Sequence, residues 1–271
     1  MPHLDLAQSM IHTIKTEFSV AFIDFSIVQI SVMLMAVLCS YIIFGMIGFG
    51  TALIASPVLL QFLPLAEIIP LLALLDLCAA LSNLIRDGKK ADMTELKRLI
   101  PLMCVGSLIG FLLLLKIKPE TSLLAFAVFI LLYALYALSG IQPERRFGPK
   151  HVVPFGFGGG LLGAMFGSGG FMYSIYLNGR LQDPQKIRIT QTTLIGCSTL
   201  LRVILFALAG VYFSWHIFAL MLLFIPSMLI GSYVGKHITL KLSKVQFLKI
   251  IHVVIFFSGL SILLKYALTH S

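Results

Sequence analysis

Charged residues are scarce in this chain, and their scarcity excludes an ordinary soluble protein. Only 11% of the 271 residues are charged and 59% are hydrophobic, whereas soluble globular proteins carry about 25% charged residues. Acidic residues are rarer than basic residues, with 11 Asp and Glu against 20 Lys and Arg. Apolar runs of about 20 residues recur along the chain, so the sequence predicts a protein that resides in a lipid bilayer.

The sequence also has few of the groups that enzymes, metal sites and disulfide frameworks require. Its four cysteines, Cys39, Cys78, Cys104 and Cys197, lie singly in apolar runs without a C-x-x-C pair, which indicates neither a zinc site nor a disulfide framework. The seven histidines lie at ends, in loops or singly, and no Walker-type phosphate loop is present. We therefore expect no enzyme, no cofactor and no direct use of ATP.

The excess of positive charge is explained by membrane topology. A net charge of +9 raises the question of nucleic acid, but the Lys and Arg residues lie in short loops between apolar runs. We expect a lipid bilayer and a small anion as partners, and no nucleic acid. The small-residue helix faces also suggest a homo-oligomer.

Eight long apolar segments and two short ones follow the N-terminal residues. The long segments, each about long enough to cross a bilayer with some tilt, are 26–44, 67–85, 97–115, 121–139, 152–166, 189–209, 215–235 and 247–266. The short segments, 51–62 and 170–178, each follow a glycine break and are too short for a comfortable crossing. The predicted fold is an all-α integral membrane protein with eight long transmembrane helices and two short broken or re-entrant helices.

The two glycine breaks belong to an internal repeat. Phe44–Gly50 corresponds to Gly163–Gly169 at an offset of 119 positions, and Gly106–Gly110 corresponds to Gly231–Gly235 after six further residues. Matching broken helices in two halves of a membrane protein are the usual sequence sign of a transporter binding site. The predicted domains are an amphipathic lead-in over 1–25, a first repeat over 26–139, a cytoplasmic linker over 140–151 and a second repeat over 152–268.

The distribution of positive charge predicts the orientation of the repeats, because cytoplasmic loops carry the Lys and Arg excess. If each short segment returns the chain to the side it came from, fifteen cations fall on one side and four on the other, with Arg202 inside a span. If the short segments do not change sides, ten cations fall on one side and nine on the other. The first arrangement is favoured and places both termini outside. Each half then has five segments, so the second half is inverted relative to the first.

The broken helices predict a binding site for an anion. Irregular backbone at membrane depth is tolerated only where protein buries it or where it lines a wet cavity. A helix start presents free N–H groups and the positive end of the helix dipole, which attract anions. The alternative is that these glycines only allow close helix packing. The predicted contacts at the two breaks are Gly48, Gly50, Thr51, Gly167, Ser168, Gly169 and Gly170.

Two charged residues lie far from the ends of predicted spans, where charge is costly and is usually functional or paired. The planar guanidinium of Arg202 suits an oxyanion; alternatively, it pairs with Asp76 or with helix-end carbonyls as a structural bridge. Asp76 is a candidate for coupling transport to an ion, with a structural ion pair as the alternative. Gln191 shares a helix face with Arg202, and Asn83 is the repeat counterpart of Arg202. Gln191 and Asn83 are therefore candidates for substrate contact.

The glycine pattern resembles that of the TauE/SafE family of sulfite and organosulfonate exporters. The resemblance rests on G-F-G-T at 48–51 and G-S-G-G at 167–170, and on Pro57 and G-S-L-I-G at 106–110. It covers the chain from about residue 28 to residue 266. Phe49 and Thr51 stand where the family often has a further glycine.

This resemblance implies a secondary transporter in the bacterial inner membrane. Its substrate would be a small sulfur-containing oxyanion, such as sulfite, sulfoacetate or a related organosulfonate, exported by alternating access. The alternative is an anion channel, or a carrier for a different small anion or solute.

Overall fold

The computed structural model of this chain is helical. It describes residues 25–87, 91–139, 147–213, 215–237, 252–253, 255–264 and 266, and helices are the only regular secondary structure in this part of the chain. The helices are α1 (Ile27–Ile47), α2 (Thr51–Leu59), α3 (Leu65–Asp87), α4 (Met93–Lys116), α5 (Pro119–Leu138), α6 (Val152–Phe166), α7 (Gly170–Arg180), α8 (Pro184–Leu208), α9 (Trp215–His237) and α10 (Ile255–Leu264).

The helices agree with the prediction of an all-α membrane protein. Within the described residues, five helices are long and apolar enough to cross a membrane, namely α1, α4, α5, α8 and α9. Helices α4 and α8 begin before the apolar segments predicted for them, because polar first turns capped by Asp92 and Asp183 precede the apolar residues. The predicted lead-in and linker fall largely on 1–24 and 140–146, which lie outside the described residues, as does 247–251 of the last predicted segment.

The buried charged residues and the exposed apolar surface are typical of a protein that lies in a lipid bilayer. Asp76, Glu95 and Arg202 are each at most 4% exposed. Leu132 on α5 is 62% exposed and Leu222 on α9 is 58% exposed. A soluble protein has the opposite arrangement, since charged residues are almost never fully buried unless they are paired. The apolar exterior is the surface that a bilayer covers.

Helices α4 and α6 lie backbone to backbone at two glycines of α4. Gly106 lies against Phe157, and a Cβ atom at Gly110 would come within 2.5 Å of the carbonyl oxygen of Leu161. A larger residue at either position would therefore push the helices apart. Small residues of this kind let membrane helices pack closely.

Helices α1 and α9 form the corresponding contact. A Cβ atom at Gly231 would come within 2.6 Å of the carbonyl oxygen of Leu38, and Gly235 lies against Ile42. In both helix pairs the residue numbers rise together along the contact, so the two helices of each pair run in the same direction.

Glu95 forms a buried ionic cluster that connects α4 to the end of α7. Its carboxylate accepts hydrogen bonds from Arg180 Nη2 at 2.7 Å and from the Tyr176 hydroxyl at 2.8 Å. Arg98, one turn along α4, donates to it at 3.1 Å. Because the buried charge has several charge-assisted partners, it fixes the position of α7.

Asp92 connects the start of α4 to the start of α8. Its carboxylate accepts hydrogen bonds from the backbone N–H groups of Thr94 and Glu95 at 3.0 and 3.1 Å, and lies 3.2 Å from Lys186 Nζ. Its own N–H donates to Thr190 Oγ1 at 2.8 Å. Burial opposes ionisation of the carboxyl, but the backbone hydrogen bonds and the Lys186 ammonium outweigh it and lower the pKa of Asp92.

Asp92→Ala is expected to lower the free energy of unfolding by about 1 kcal/mol at neutral pH, as the loss of a helix cap does. A carboxyl with a lowered folded-state pKa stabilises above its unfolded value, about pH 4, and loses that contribution as pH falls through the folded value. The difference between variant and wild type should therefore shrink in acid.

Thermal unfolding in detergent at neutral and acidic pH measures this effect. Asp183→Ala is the matched control, because Asp183 caps α8 through the Gln185 N–H and has no Lys186 beside it in the described contacts. Equal stability of Asp92→Ala and wild type at neutral pH would contradict the assignment.

Candidate functional site

A small pocket lies where the broken helix pairs α1–α2 and α6–α7 meet α3 and α8. Its volume is ≈ 20 Å³, enough for about one water-sized molecule. We call it the central pocket. It is lined by Phe44, Phe49, Gly50, Thr51, Asp76, Gly163, Gly167, Gly169, Gly170, Tyr173, Ile195, Ser198, Thr199 and Arg202.

Both helix breaks are made by glycines in the left-handed region. Helix α1 ends at Gly48, with φ 89°, and α6 ends at Gly167, with φ 68°. Residues that carry a side chain rarely adopt this backbone conformation, so glycine is favoured at both positions. Three residues later the chain starts α2 at Thr51 and α7 at Gly170. Residues of both helix starts line the central pocket, and a helix start carries the positive end of the helix dipole.

The second break brings three backbone segments into contact. A Cβ atom at Gly169 would collide with the carbonyl oxygen of Gly159 and lie 3.2 Å from the Cα atom of Gly163. A Cβ atom at Gly170 would lie 2.6 Å from the Cβ atom of Phe49. The glycines here therefore serve close packing, and Gly169 and Gly170 also line the pocket.

Arg202 is held at the pocket wall by one end of its guanidinium group. Nη1 donates to the carbonyl oxygen of Gly163 at 3.0 Å, and Nη2 donates to Thr199 Oγ1 at 3.3 Å. Nη2 also lies 3.6 Å from Asp76 Oδ2, which is an ion pair but longer than an ordinary hydrogen bond. The side chain is thus oriented by the end of α6 and only loosely paired with Asp76.

Asp76 is surrounded by donors. Oδ1 accepts a hydrogen bond from the Tyr41 hydroxyl at 2.8 Å, and Oδ2 accepts one from Thr51 Oγ1 at 3.1 Å. With Arg202 3.6 Å away, the carboxyl has contacts from α1, α2 and α8. Any movement of the broken helices therefore changes the surroundings of this carboxyl.

Two donors at the pocket lack an acceptor of ordinary geometry among the described residues, although the Tyr173 hydroxyl lies close to the Ser198 side chain. Within the described part of the chain, neither Arg202 Nε nor the Tyr173 hydroxyl has a hydrogen-bond partner of ordinary geometry. Buried polar groups are almost always paired, so each exception calls for an explanation. Both residues line the central pocket, and a bound anion with several acceptor oxygens would pair both donors.

The structure brings together most of the residues predicted at the breaks, but some lie outside the lining. Gly48 ends α1 beside Thr192, and the Ser168 hydroxyl donates to the carbonyl oxygen of Phe166 at 3.1 Å. Gln191 Nε2 donates to the carbonyl oxygen of Gly170 at 3.5 Å, so it supports the start of α7. The Asn83 side chain lies outside the described residues.

Sequence reasoning did not select Tyr173, Tyr41 or Gly163. Tyr173 lies in the first turn after the second break, so its position in a helix start was an available signal. Tyr41 contacts Asp76 across 35 positions, and Gly163 accepts from Arg202 across 39 positions. No pattern in the sequence indicates contacts of that separation.

Helices of membrane-spanning length, an apolar exterior and buried charges around an internal pocket define a multi-pass membrane protein. The chain belongs to the TauE/SafE family of membrane transporters, because the family model described as Sulfite exporter TauE/SafE matches residues 32–262. This match confirms the resemblance seen in the glycine pattern. Neither a curated protein nor a solved structure gives a significant match.

Proposed function

We propose that this protein is a secondary transporter that exports a small sulfur-containing oxyanion, such as sulfite, sulfoacetate or a related organosulfonate, across the bacterial inner membrane. The observation that carries the proposal is the pair of unpartnered donors, Arg202 Nε and the Tyr173 hydroxyl, between two helix starts. Together they offer charge and hydrogen bonds to one oxyanion. The family match supports the substrate class.

We infer that the transporter consists of two repeats of five segments, with eight long helices and two short ones. The last residues of α1 and α6, the first residues of α2 and α7, and the first residues of α3 and α8 are each 119 positions apart. The same offset relates the sequence repeats. Helix boundaries that repeat at this offset support a duplicated structural unit.

The contacts between the halves support an inverted relation. Asp76 of α3 lies beside Arg202 of α8, and Asp92, after α3, contacts Thr190 of α8. Numbers therefore rise along α3 while they fall along α8, so these repeat-related helices are antiparallel. Each first helix packs on the fourth segment of the other half, as the pairs α1–α9 and α4–α6 show.

Both halves contribute equivalent positions to the central pocket, which supports one shared site. Four pairs of lining residues are related by the offset of 119 positions: Phe44 and Gly163, Gly50 and Gly169, Thr51 and Gly170, and Asp76 and Ile195. The charge distribution of the loops further places both termini outside in this proposal.

The size of the pocket supports alternating access. A volume of ≈ 20 Å³ accommodates about one water-sized molecule, whereas sulfite has four heavy atoms. The helices around the pocket must therefore separate to admit the substrate and close again behind it. The loosely paired Arg202 and the breaks before α2 and α7 are the parts that can move without unwinding a long helix.

Asp76 is proposed as the coupling residue. When it is ionised, its negative charge competes with the substrate for Arg202, 3.6 Å away. When it carries a proton, the competition is gone and the pocket has the net positive charge that an anion needs. A proton on Asp76 and an anion at Arg202 are therefore expected to bind together.

Asp76→Asn is expected to remove most of the pH dependence of transport. Asparagine keeps the shape of the side chain but carries no charge, so the variant should bind the anion at high pH as the wild type does at low pH. Methanesulfonate uptake into proteoliposomes between pH 5.5 and 8.5, a range of about three units, measures this. That anion does not titrate in the range, so any pH dependence belongs to the protein. An unchanged pH profile would contradict the coupling role.

Flux measurements on the purified protein test the proposed function and separate it from a channel. A carrier should show saturable sulfite or sulfonate flux and counterflow, in which unlabelled anion on one side accelerates exchange of labelled anion from the other. A channel would show conductance without counterflow. Absence of any sulfite or sulfonate flux above empty liposomes would reject the function.

A further inference from the structure

A second and much larger cavity adjoins the central pocket. Its volume is ≈ 180 Å³, against ≈ 20 Å³ for the central pocket. Phe49 and Gly50 line both cavities, so both spaces border the link between α1 and α2. We call the larger space the apolar chamber; α5, α7 and α10 complete its wall through Ala137, Phe171 and Ile255.

The walls of the apolar chamber suit an uncharged group. Isoleucine, leucine, phenylalanine and alanine side chains supply most of its surface, and none of the described residues that line it is Asp, Glu, Lys or Arg. The Tyr133 hydroxyl oxygen lies 3.3 Å from His252 Nε2, so these two polar side chains can hydrogen-bond to each other. A charged group would lose its hydration here without gaining a partner.

Phe49 lies at the junction of the two spaces. Its Cβ atom approaches Gly170 at the start of α7, where a Cβ would come within 2.6 Å. Its side chain is partly accessible. An anionic head at Arg202 and an uncharged body beside Phe49 would thus occupy adjoining spaces.

We propose that the apolar chamber binds the uncharged organic body of the transported anion, so that the chain prefers an alkyl- or arylsulfonate to sulfite. This inference rests on the proposed function. Phe49 and Ala137 are the specificity-determining residues, since one lies at the junction and the other at the chamber wall. Sulfite would fill only the charged end of the combined site and leave the chamber without an occupant.

The chamber predicts a dependence on chain length. Each methylene group moved from water into apolar surroundings should tighten binding about fourfold, until the chamber is full. Dissociation constants of the purified full-length protein for methanesulfonate, propanesulfonate and pentanesulfonate measure this by titration calorimetry. Pentanol is the control for simple partitioning, because it has the same body without the anionic head.

Ala137→Phe tests the chamber directly, because it places a phenyl ring into the space from α5. Pentanesulfonate binding should weaken at least tenfold, and by a larger factor than methanesulfonate binding. Leu135→Phe is the matched control on the same helix, since Leu135 is 54% exposed on the outer face. Ser174→Phe, which enters the chamber from α7, is the second variant if Ala137→Phe does not fold.

The outcomes separate the two proposals. Sulfite flux without any gain from chain length, or equal loss of all three sulfonates in Ala137→Phe, would overturn the chamber assignment and leave the proposed function intact. Pentanol binding as tight as pentanesulfonate binding would also overturn it, since the body would then bind without the anion. Absence of flux for every sulfonate and for sulfite would reject the proposed function itself.

Discussion

Arg202→Ala is expected to reduce sulfite or sulfonate flux at least tenfold. The variant removes the only cation among the described residues lining the central pocket, together with the unpartnered Nε donor. A lost charge-assisted hydrogen bond costs about 1.4 kcal/mol or more, which is a factor of ten. Initial rates in proteoliposomes at substrate concentrations below saturation measure the loss.

Arg202→Lys guards against a loss that comes from misfolding. Lysine keeps the positive charge beside Asp76 but lacks the planar group that donates to Gly163 and Thr199 together. Flux of this variant should lie between those of wild type and Arg202→Ala. Arg98→Ala is a matched control elsewhere, because Glu95 keeps Arg180 as its partner. Wild-type flux in Arg202→Ala would remove Arg202 from the substrate site.

Gly169→Ala is expected to reduce transport to a similar extent. The new methyl group would collide with the carbonyl oxygen of Gly159, and backbone cannot rotate away as a side chain can. The start of α7 would move from the pocket, and overpacking of this kind costs about 1–3 kcal/mol. Flux should fall at least tenfold, and thermal unfolding in detergent should occur at lower temperature.

Gly158→Ala is the control for the Gly169 variant. It adds the same methyl group to the neighbouring part of α6, where the nearest atom is the terminal methyl of Met172. A flexible side-chain end can give way, so flux should stay close to wild type. Equal flux in Gly169→Ala and Gly158→Ala would mean that the second break has no part in transport.

The sequence contains enough information to locate the two breaks. Glycines in matching apolar stretches predict interruptions of helices, and α1 and α6 end at the corresponding glycines Gly48 and Gly167. Arg202 and Asp76 stand out because a charge inside an apolar segment is costly. These signals are local, so they survive without knowledge of the tertiary contacts.

The roles of individual hydroxyl groups could not be predicted from the sequence, because they depend on contacts between distant segments. Thr51 at a helix start is expected to donate to an anion, yet in the structure its hydroxyl donates to Asp76. Ser168 likewise donates to Phe166 of its own loop. Tyr173 supplies a free hydroxyl instead. Each partner is chosen by how the helices cross, which one sequence does not reveal.

The apolar chamber could not be predicted for the same reason. Phe49, which with Thr51 departs from the family's glycine pattern at the first break, lines both the chamber and the central pocket. Ala137 and His252 reach this wall from helices far along the chain. A cavity is a property of the packed molecule, and apolar residues in membrane helices give no separate signal for it.

A crystal structure with bound selenite tests the central pocket as the anion site most directly. Selenite has the shape and charge of sulfite, and selenium is located by its anomalous scattering. The proposal predicts a selenium peak between the starts of α2 and α7, about 4 Å from the guanidinium of Arg202. A structure with selenium bound at other positions, and none beside Arg202 at saturating selenite, would contradict it.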